Sequence, residues 1–278
     1  MSQIIVIEEG EIGKIKECIK LAASNPEQNL LLLADLYPPH LGLSKVFAIL
    51  QNGKVIDFST IYSGFPNPSI VLGIKPSTRE TLLRDMMSSV RGSFTCICEP
   101  KELGLFGDKT TLVDKHNEYQ MILGSFGEQD GYVDEGGAEL VDRNELGKLD
   151  RFLKENRAPA WLPVQFDSGP YFCVKRENEI VSVAGVHFVT PEVAQLGNII
   201  TAKPFRGRGY GTQCTTALIS SLRSKTKLVS LFVVEDNDQA IRIYERLGFQ
   251  KMRKLAYATL CKLGQELTPS HAHEILSP

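Results

Sequence analysis

At 278 residues, 42% hydrophobic and 23% charged, the chain is long enough for one large domain or two modest ones, each with a real core. Thirty-one Lys and Arg stand against 33 Asp and Glu, a formal net charge of -2. That balance excludes a strong overall grip on nucleic acid or an anionic membrane, so any anion binding must be local. The opening "MSQIIVIEEGEIGK" is too short an apolar run for a signal peptide and turns acidic. No stretch approaches the roughly 18 apolar residues of a membrane span. Cys18, Cys96, Cys98, Cys173, Cys214 and Cys261 are scattered without a C-x-x-C pair, as in a reduced, cytoplasmic protein.

In chain order, "IIVI" (4–7) reads as a strand and 11–23 as a helix with Ile12, Ile15 and Ile19 on one face. "NLLLLADLYPPHLG" reads as a buried helical stretch ended by Pro38-Pro39. "KVFAILQNGKVIDFSTIYSG" is a hairpin turning at Asn52-Gly53. "SIVLGI" is a strand, "TRETLLRDMMSSV" a helix and "SFTCICE" a strand, giving β-α-α-β-β-β-α-β. Residues 124–138 are small and acidic and read as a linker.

The second half opens with a short strand, "AELVDRN", and a helix, "ELGKLDRFLKEN", with Asn144 as its cap. After the loop "APAWLP", "YFCVKRENEIVSVAGVHFVT" is a hairpin turning at Glu177-Asn178. "VAQLGNIITA" is a strand, and "KPFRGRGYGT" leads into a helix through about 224 on Tyr210, Cys214, Ala217, Leu218 and Leu222. "KLVSLFVV" is a strand buried on both faces. "NDQAIRIYERLGF" is a helix capped by Asn237 or Asp236 and stopped by Gly248. Residues past 264 form a polar tail. The halves share element order without a residue-level repeat.

"FRGRGYGTQC" (205–214) concentrates glycine and positive charge between a strand and a helix. Gly207, Gly209 and Gly211 let successive amides converge where the helix dipole is positive, and Arg206 and Arg208 add forked donors. A pyrophosphate fits such a site. The nucleotide P-loop is excluded, because Gly13-Lys14, Gly53-Lys54 and Gly147-Lys148 are followed by Ile, Val and Leu. The dinucleotide fingerprint is a rival, with Gly207, Gly209 and the acids Glu235 and Asp236. Against it stand Thr212 at the third glycine position, five residues between strand and loop, and a hairpin upstream.

R-x-x-G-x-G (Arg206, Gly209, Gly211), followed by N-x-x-A-x-x-x-Y-x-x-x-G-F (Asn237, Ala240, Tyr244, Gly248, Phe249), resembles the GNAT superfamily of acyl-CoA N-acyltransferases over roughly 139–262. The first half is similar through its element order, "NLLLLADLY" and "EYQMILG". The resemblance implies a mixed α/β sheet of the acyl-CoA N-acyltransferase fold. It also implies a degenerate GNAT-like N-terminal half (1–135) without a cofactor loop, a catalytic half (136–264) and the tail (265–278). Acetyl-CoA would be held by the loop residues Arg206, Gly207, Arg208, Gly209, Tyr210, Gly211 and Thr212. Its pantetheine arm would lie against Ile199, Ile200 and Thr201, with Asn237 as cap, cofactor contact or both.

Tyr244 matches the family's general acid and would protonate the leaving thiolate; a core aromatic is the competing reading. At the base position found in some relatives stands Gln195, leaving Glu192, His187, Glu235 or a water relay to take the proton of the attacking amine. The implied acceptor is a small-molecule amine, an amino acid, an antibiotic-like molecule or a protein N-terminus, with no nucleic-acid or membrane partner. A non-catalytic acyl-CoA sensor and an NAD-binding protein are the alternatives. No metal is called for: His271-x-His273 lacks a third ligand, and Cys96-x-Cys98 reads as strand core.

Overall fold

The computed structural model describes residues 2–8, 10–124, 137–158 and 161–264. The expected linker from 125 to 136 and the tail from 265, with His271 and His273, lie outside the described residues. The first elements are β1 (Ser2–Ile7), α1 (Ile12–Ala22), α2 (Leu30–Asp35), β2 (Ser44–Gln51) and β3 (Lys54–Tyr62). They continue with β4 (Ser69–Val71), α3 (Pro76–Met86), β5 (Ser93–Cys98) and β6 (Thr110–Leu123). Next come β7 (Glu139–Leu140), α4 (Leu146–Glu155), β8 (Phe172–Arg176), β9 (Glu179–Val189) and β10 (Val193–Thr201). The chain closes with α5 (Tyr210–Leu222), β11 (Leu228–Val234), α6 (Asp238–Arg246) and β12 (Gln250–Lys262). Among the described residues no helix is long and apolar enough to cross a membrane.

Two compact units form, one from Met1–Tyr119 together with the segment starting at Arg253, the other from Gln120–Met252. The first unit orders its strands β1-β2-β3-β4-β5-β12-β6. Asn52 and Gly53, at φ 52° and 76°, make the two-residue turn that joins β2 to β3. β4 and β5 run parallel through Ser69 with Thr95 and Ile70 with Cys96. β12 covers the open flank of β5 antiparallel, from Ala256 opposite Cys98 to Cys261 opposite Ser93. Phe47, Ile61, Leu82, Met86, Phe94 and Leu260 fill this core, with Cys96 and Cys98 inside it as expected of strand-core thiols. Each fully buried aliphatic side chain here stabilises the fold by about 1.5–3 kcal/mol over its exposed state.

The second unit orders its strands β6-β11-β10-β9-β8-β7. Glu177 and Asn178, at φ 51° and 65°, make the tight turn from β8 to β9. α4 lays Leu149, Phe152 and Leu153 against Trp161, Tyr171 and Val183. The indole of Trp161 donates to Asp150 Oδ1 (3.0 Å), so its buried N–H is satisfied. The cap expected of Asn144 belongs to Asp142, which accepts from the Asn144 amide (3.2 Å) at the head of a 3-10 turn before α4. Asp142 is extended (φ -77°, ψ 154°), the conformation a cap needs, whereas Asn144 already lies inside the turn.

β6 and β12 are not among the elements that the sequence pattern predicts. Both are long strands whose partners lie far away in the chain.

Candidate active site

The site begins with a strand that outruns its neighbour. β10 and β11 run parallel only from Val193 opposite Leu228 to Leu196 opposite Leu231. β10 then continues through Gly197 to Thr201, still paired to β9 through Ile200 with Val183 and Thr201 with Ser182. The β9–β10 register slips between Gly197 and Ile200, where Asn198 takes φ 52°. Such a bulge bends a strand and raises its twist, which turns β10 away from β11. The edge of β10 beyond Leu196, on the side away from β9, is thereby left without a β11 partner and can take an extended ligand as an added strand.

From Thr201 the chain makes a 3-10 turn over Lys203–Phe205 and enters the glycine loop. Gly207 and Gly209 adopt φ 76° and 79°, and Gly209 caps α5 with no side-chain hydrogen bond to the helix amides. Among the described residues a Cβ on either glycine would meet nothing within 4 Å, so backbone conformation rather than space requires glycine there. Gly211 answers to space: its Cβ would lie 3.1 Å from Thr201 Oγ1, so the first turn of α5 sits close on the end of β10. Thr201 is itself anchored, its hydroxyl 2.8 Å from Ser182 Oγ.

Arg206 donates through Nε to Thr201 O (3.1 Å), which holds its guanidinium beside the loop. The Arg208 guanidinium lies over the Phe205 ring at 5.7 Å. A third arginine joins them. Arg176, at the end of β8, lies 4.6 Å over the ring of Tyr210 and donates to its hydroxyl (3.1 Å). This bond and the charges of Arg176 and Arg208 hold the Tyr210 hydroxyl below its ordinary pKa. Sequence reasoning passed over Arg176, because the contact spans 34 positions.

Asn237 caps α6, its Oδ1 accepting from Ala240 N (3.1 Å), and Gly248 stops the helix at φ 86°. Tyr244 lies two turns along α6, buried edge-on against Phe249 at 6.0 Å. Burial pushes its hydroxyl well above the usual tyrosine range, so it keeps its proton through the physiological range. The His187 imidazole covers Gly197, where a Cβ would fall 2.1 Å from Nε2, so this ring lies against the bulge. Glu192 is in the β9–β10 turn, before the start of β10 and roughly 20 Å along the strand from Asn198. Glu235 follows β11 directly, half-buried. Gln195 is buried between Phe188 and Ser230 within the ladder.

The loop and the open flank of β10 fit a pyrophosphate carrying an extended arm. Residues 143–249 match the model of the acetyltransferase (GNAT) family. The chain carries a GNAT domain. The chain is also similar to two mycothiol acetyltransferases. That from Rhodococcus jostii is 29% identical over 119 residues, 39% of this chain and 38% of the relative. That from Corynebacterium aurimucosum is 36% identical over 75 residues, 24% of this chain and 25% of the relative. The matched stretches thus span well under half of either relative.

The fold likeness reaches further. A tandem GNAT protein from the clavulanic acid biosynthesis pathway aligns over 97% of this chain and 100% of its own, at 14% identity and a TM-score of 0.62. A GCN5-related N-acetyltransferase from Sphaerobacter thermophilus aligns over 97% and 98%, at 14% identity and 0.57. Both units therefore belong to a known two-part α/β architecture built on the GNAT fold. Among the described residues no group of three or more His, Cys, Asp and Glu could hold a metal ion.

Proposed function

We propose that the chain is an acetyl-CoA-dependent N-acetyltransferase whose chemistry lies in the second unit. One observation carries the reading: β10 runs five residues past its last pairing with β11 and leads into a glycine loop at the head of a helix. That layout offers an extended main-chain edge and an anion site in sequence, which suits a pantetheine arm followed by a pyrophosphate. In this reading the amides from Gly207 to Thr212, with Arg206 and Arg208, hold the pyrophosphate, and Ile199, Ile200 and Thr201 pair with the arm.

When bound, acetyl-CoA supplies a thioester carbonyl for direct attack by the acceptor amine. A main-chain N–H of the β10 bulge receives the charge that develops on the carbonyl oxygen. His187, whose ring lies on Gly197, takes the proton of the attacking nitrogen, in preference to Glu192 at the far end of β10. Tyr244, which matches the family's general acid in the N-x-x-A-x-x-x-Y motif, gives its proton to the departing sulfur. In this reading the first unit binds no acyl-CoA of its own. The names of the two relatives make unacetylated mycothiol the first acceptor to assay, ahead of a general amine panel.

Titration calorimetry of the full chain with acetyl-CoA, dephospho-CoA and NADH tests the site. Acetyl-CoA binding that falls at least tenfold in Arg206→Ala and in Gly209→Asp supports the reading. Absent acetyl-CoA binding, or preferential NADH binding, overturns it. Release of CoA thiol on adding an amine separates an enzyme from an acyl-CoA sensor.

A further inference from the structure

The bulge in β10 is held by more than its backbone. Asn198 is only 6% exposed, and its Nδ2 donates to the Tyr171 hydroxyl (3.0 Å). That hydroxyl in turn donates to the carbonyl of Val186 (3.1 Å), and Val186 stands opposite Leu196 in the β9–β10 ladder. The side chain at the bulge is therefore tied, through one hydroxyl, to the second rung before it.

Tyr171 cannot drift. It is fully buried, edge-on to Trp161 at 5.5 Å and stacked on Phe166 at 5.8 Å. Its ring fills the space above Gly185, where a Cβ would fall 2.1 Å from Cε1. Gly185 stands opposite Gly197, so this rung has no side chains of its own and is covered by Tyr171 and His187. The clamp has a cost at the same residue: among the described residues, buried Asn198 Oδ1 has no hydrogen-bond partner. A left-handed backbone and an orphaned acceptor at one position are what functional sites keep and plain sheets discard.

We propose that Asn198 and Tyr171 are positioning residues of this site, a clamp that locks the bulge so that its main-chain amides on the side facing away from β9 present themselves to an acyl carbonyl. The proposal rests on the acyl-CoA reading above and adds to it what sets the geometry of the carbonyl site. Asparagine is the fitting residue because it tolerates the left-handed conformation and also carries the donor that reaches Tyr171.

The test compares acetyl-CoA with CoA, which lacks the carbonyl, by calorimetry on the full chain. Wild type is expected to bind acetyl-CoA the more tightly. Tyr171→Phe removes only the hydroxyl, and Asn198→Gly keeps the left-handed backbone while removing the clamp. Each variant is expected to narrow the preference for acetyl-CoA by roughly three- to tenfold, the worth of one hydrogen bond. CoA affinity should hold, since the glycine loop is untouched. Circular dichroism and melting of the same samples confirm that both variants are folded.

A wild type that binds CoA and acetyl-CoA equally overturns the clamp and leaves the cofactor reading standing. Variants that keep the full preference, or lose both ligands in equal measure, also overturn it. A wild type that binds neither ligand overturns the cofactor reading and the clamp with it.

Discussion

Each unit contains a junction where one of two parallel strands runs into a helix, and the two junctions have opposite fates. In the second unit the helix α5 opens on glycines, with no side-chain cap and arginines around it. In the first, the segment from β4 to α3 is closed by the chain's own anion. Asp57 of β3, fully buried, accepts from the amides of Phe58 (2.9 Å), Ile74 (3.0 Å) and Lys75 (3.1 Å) and from the Thr78 hydroxyl. Arg79 reaches back to Gly73 O (2.6 Å) and pairs with Glu102. A Cβ at Gly73 would sit 3.0 Å from Asp57 Oδ2, so the segment is packed onto the carboxylate. The same fold element can thus be used to admit a diffusible anion or to seal one in, and three glycines against one aspartate make the difference.

The largest expected effect comes from Asp57→Ala. It removes the shared acceptor of three amides and a hydroxyl, each costing about 1–3 kcal/mol when left unsatisfied. Chemical denaturation should show a loss of at least 3 kcal/mol, with the first unit unfolding earlier. A loss under 0.5 kcal/mol would mean the sealed junction does not depend on its internal anion.

Gly209→Asp makes the converse change, placing a carboxylate where the second unit is open. It brings like charge to the pyrophosphate position and a side chain to a φ of 79°. Acetyl-CoA affinity should fall about a hundredfold or more while the fold survives. Gly209→Ala carries only the backbone cost, about 1 kcal/mol of stability, so the gap between the two variants isolates the charge. Equal effects would put the loop's importance in its backbone alone.

Asp35 shows what a buried carboxylate costs when it lacks such a cradle. It is fully enclosed, with Thr60 as its hydrogen-bond partner, and burial raises its pKa from 3.8 to about 7. The folded state therefore holds a proton that the unfolded chain has released between pH 4 and 7. In that window this group's contribution falls as pH rises, and below pH 4 it makes none. Asp35→Asn mimics the protonated form and should gain roughly 4 kcal/mol on wild type at pH 8 and almost nothing at pH 4. Melting curves at both pH values check it; a gain independent of pH would point to packing instead.

The two junctions were not equally legible in the sequence. Gly207, Gly209 and Gly248 announced positive φ angles, and the turns at Asn52-Gly53 and Glu177-Asn178 lie where their residue types put them. These are local signals, and local rules read them. Asp57 gave a weaker sign, one charge inside the apolar run "KVIDFSTIY", and its meaning depended on amides 17 and 18 positions away. The strand β12 joins β5 across more than 150 positions, beyond the reach of any periodicity. "LGNIIT" read as plain strand, although a Gly-Asn pair inside a strand is a bulge signal. The asparagine cap was misplaced by two residues in "VDRN" because Asp142 and Asn144 are equally good cap types, and only backbone conformation separates them.

The smallest effect decides a role rather than a fold. Asn237 caps α6 through its bond to Ala240, and the family resemblance also gives it a cofactor contact. Capping alone predicts that Asn237→Ala loses about 1 kcal/mol of stability, and that Asn237→Asp, an equally good cap, loses almost none. If capping is the whole role, acetyl-CoA affinity stays within about twofold in both variants, because the glycine loop and β10 are untouched. A cofactor contact breaks that parallel. Asn237→Asp would then keep its stability and still lose affinity, since the aspartate retains the helix-facing acceptor but carries a charge and no N–H donor. Melting and calorimetry on one pair of variants thus separate the two roles at the head of α6. They also show whether the second unit uses one helix N-terminus for its anion or two.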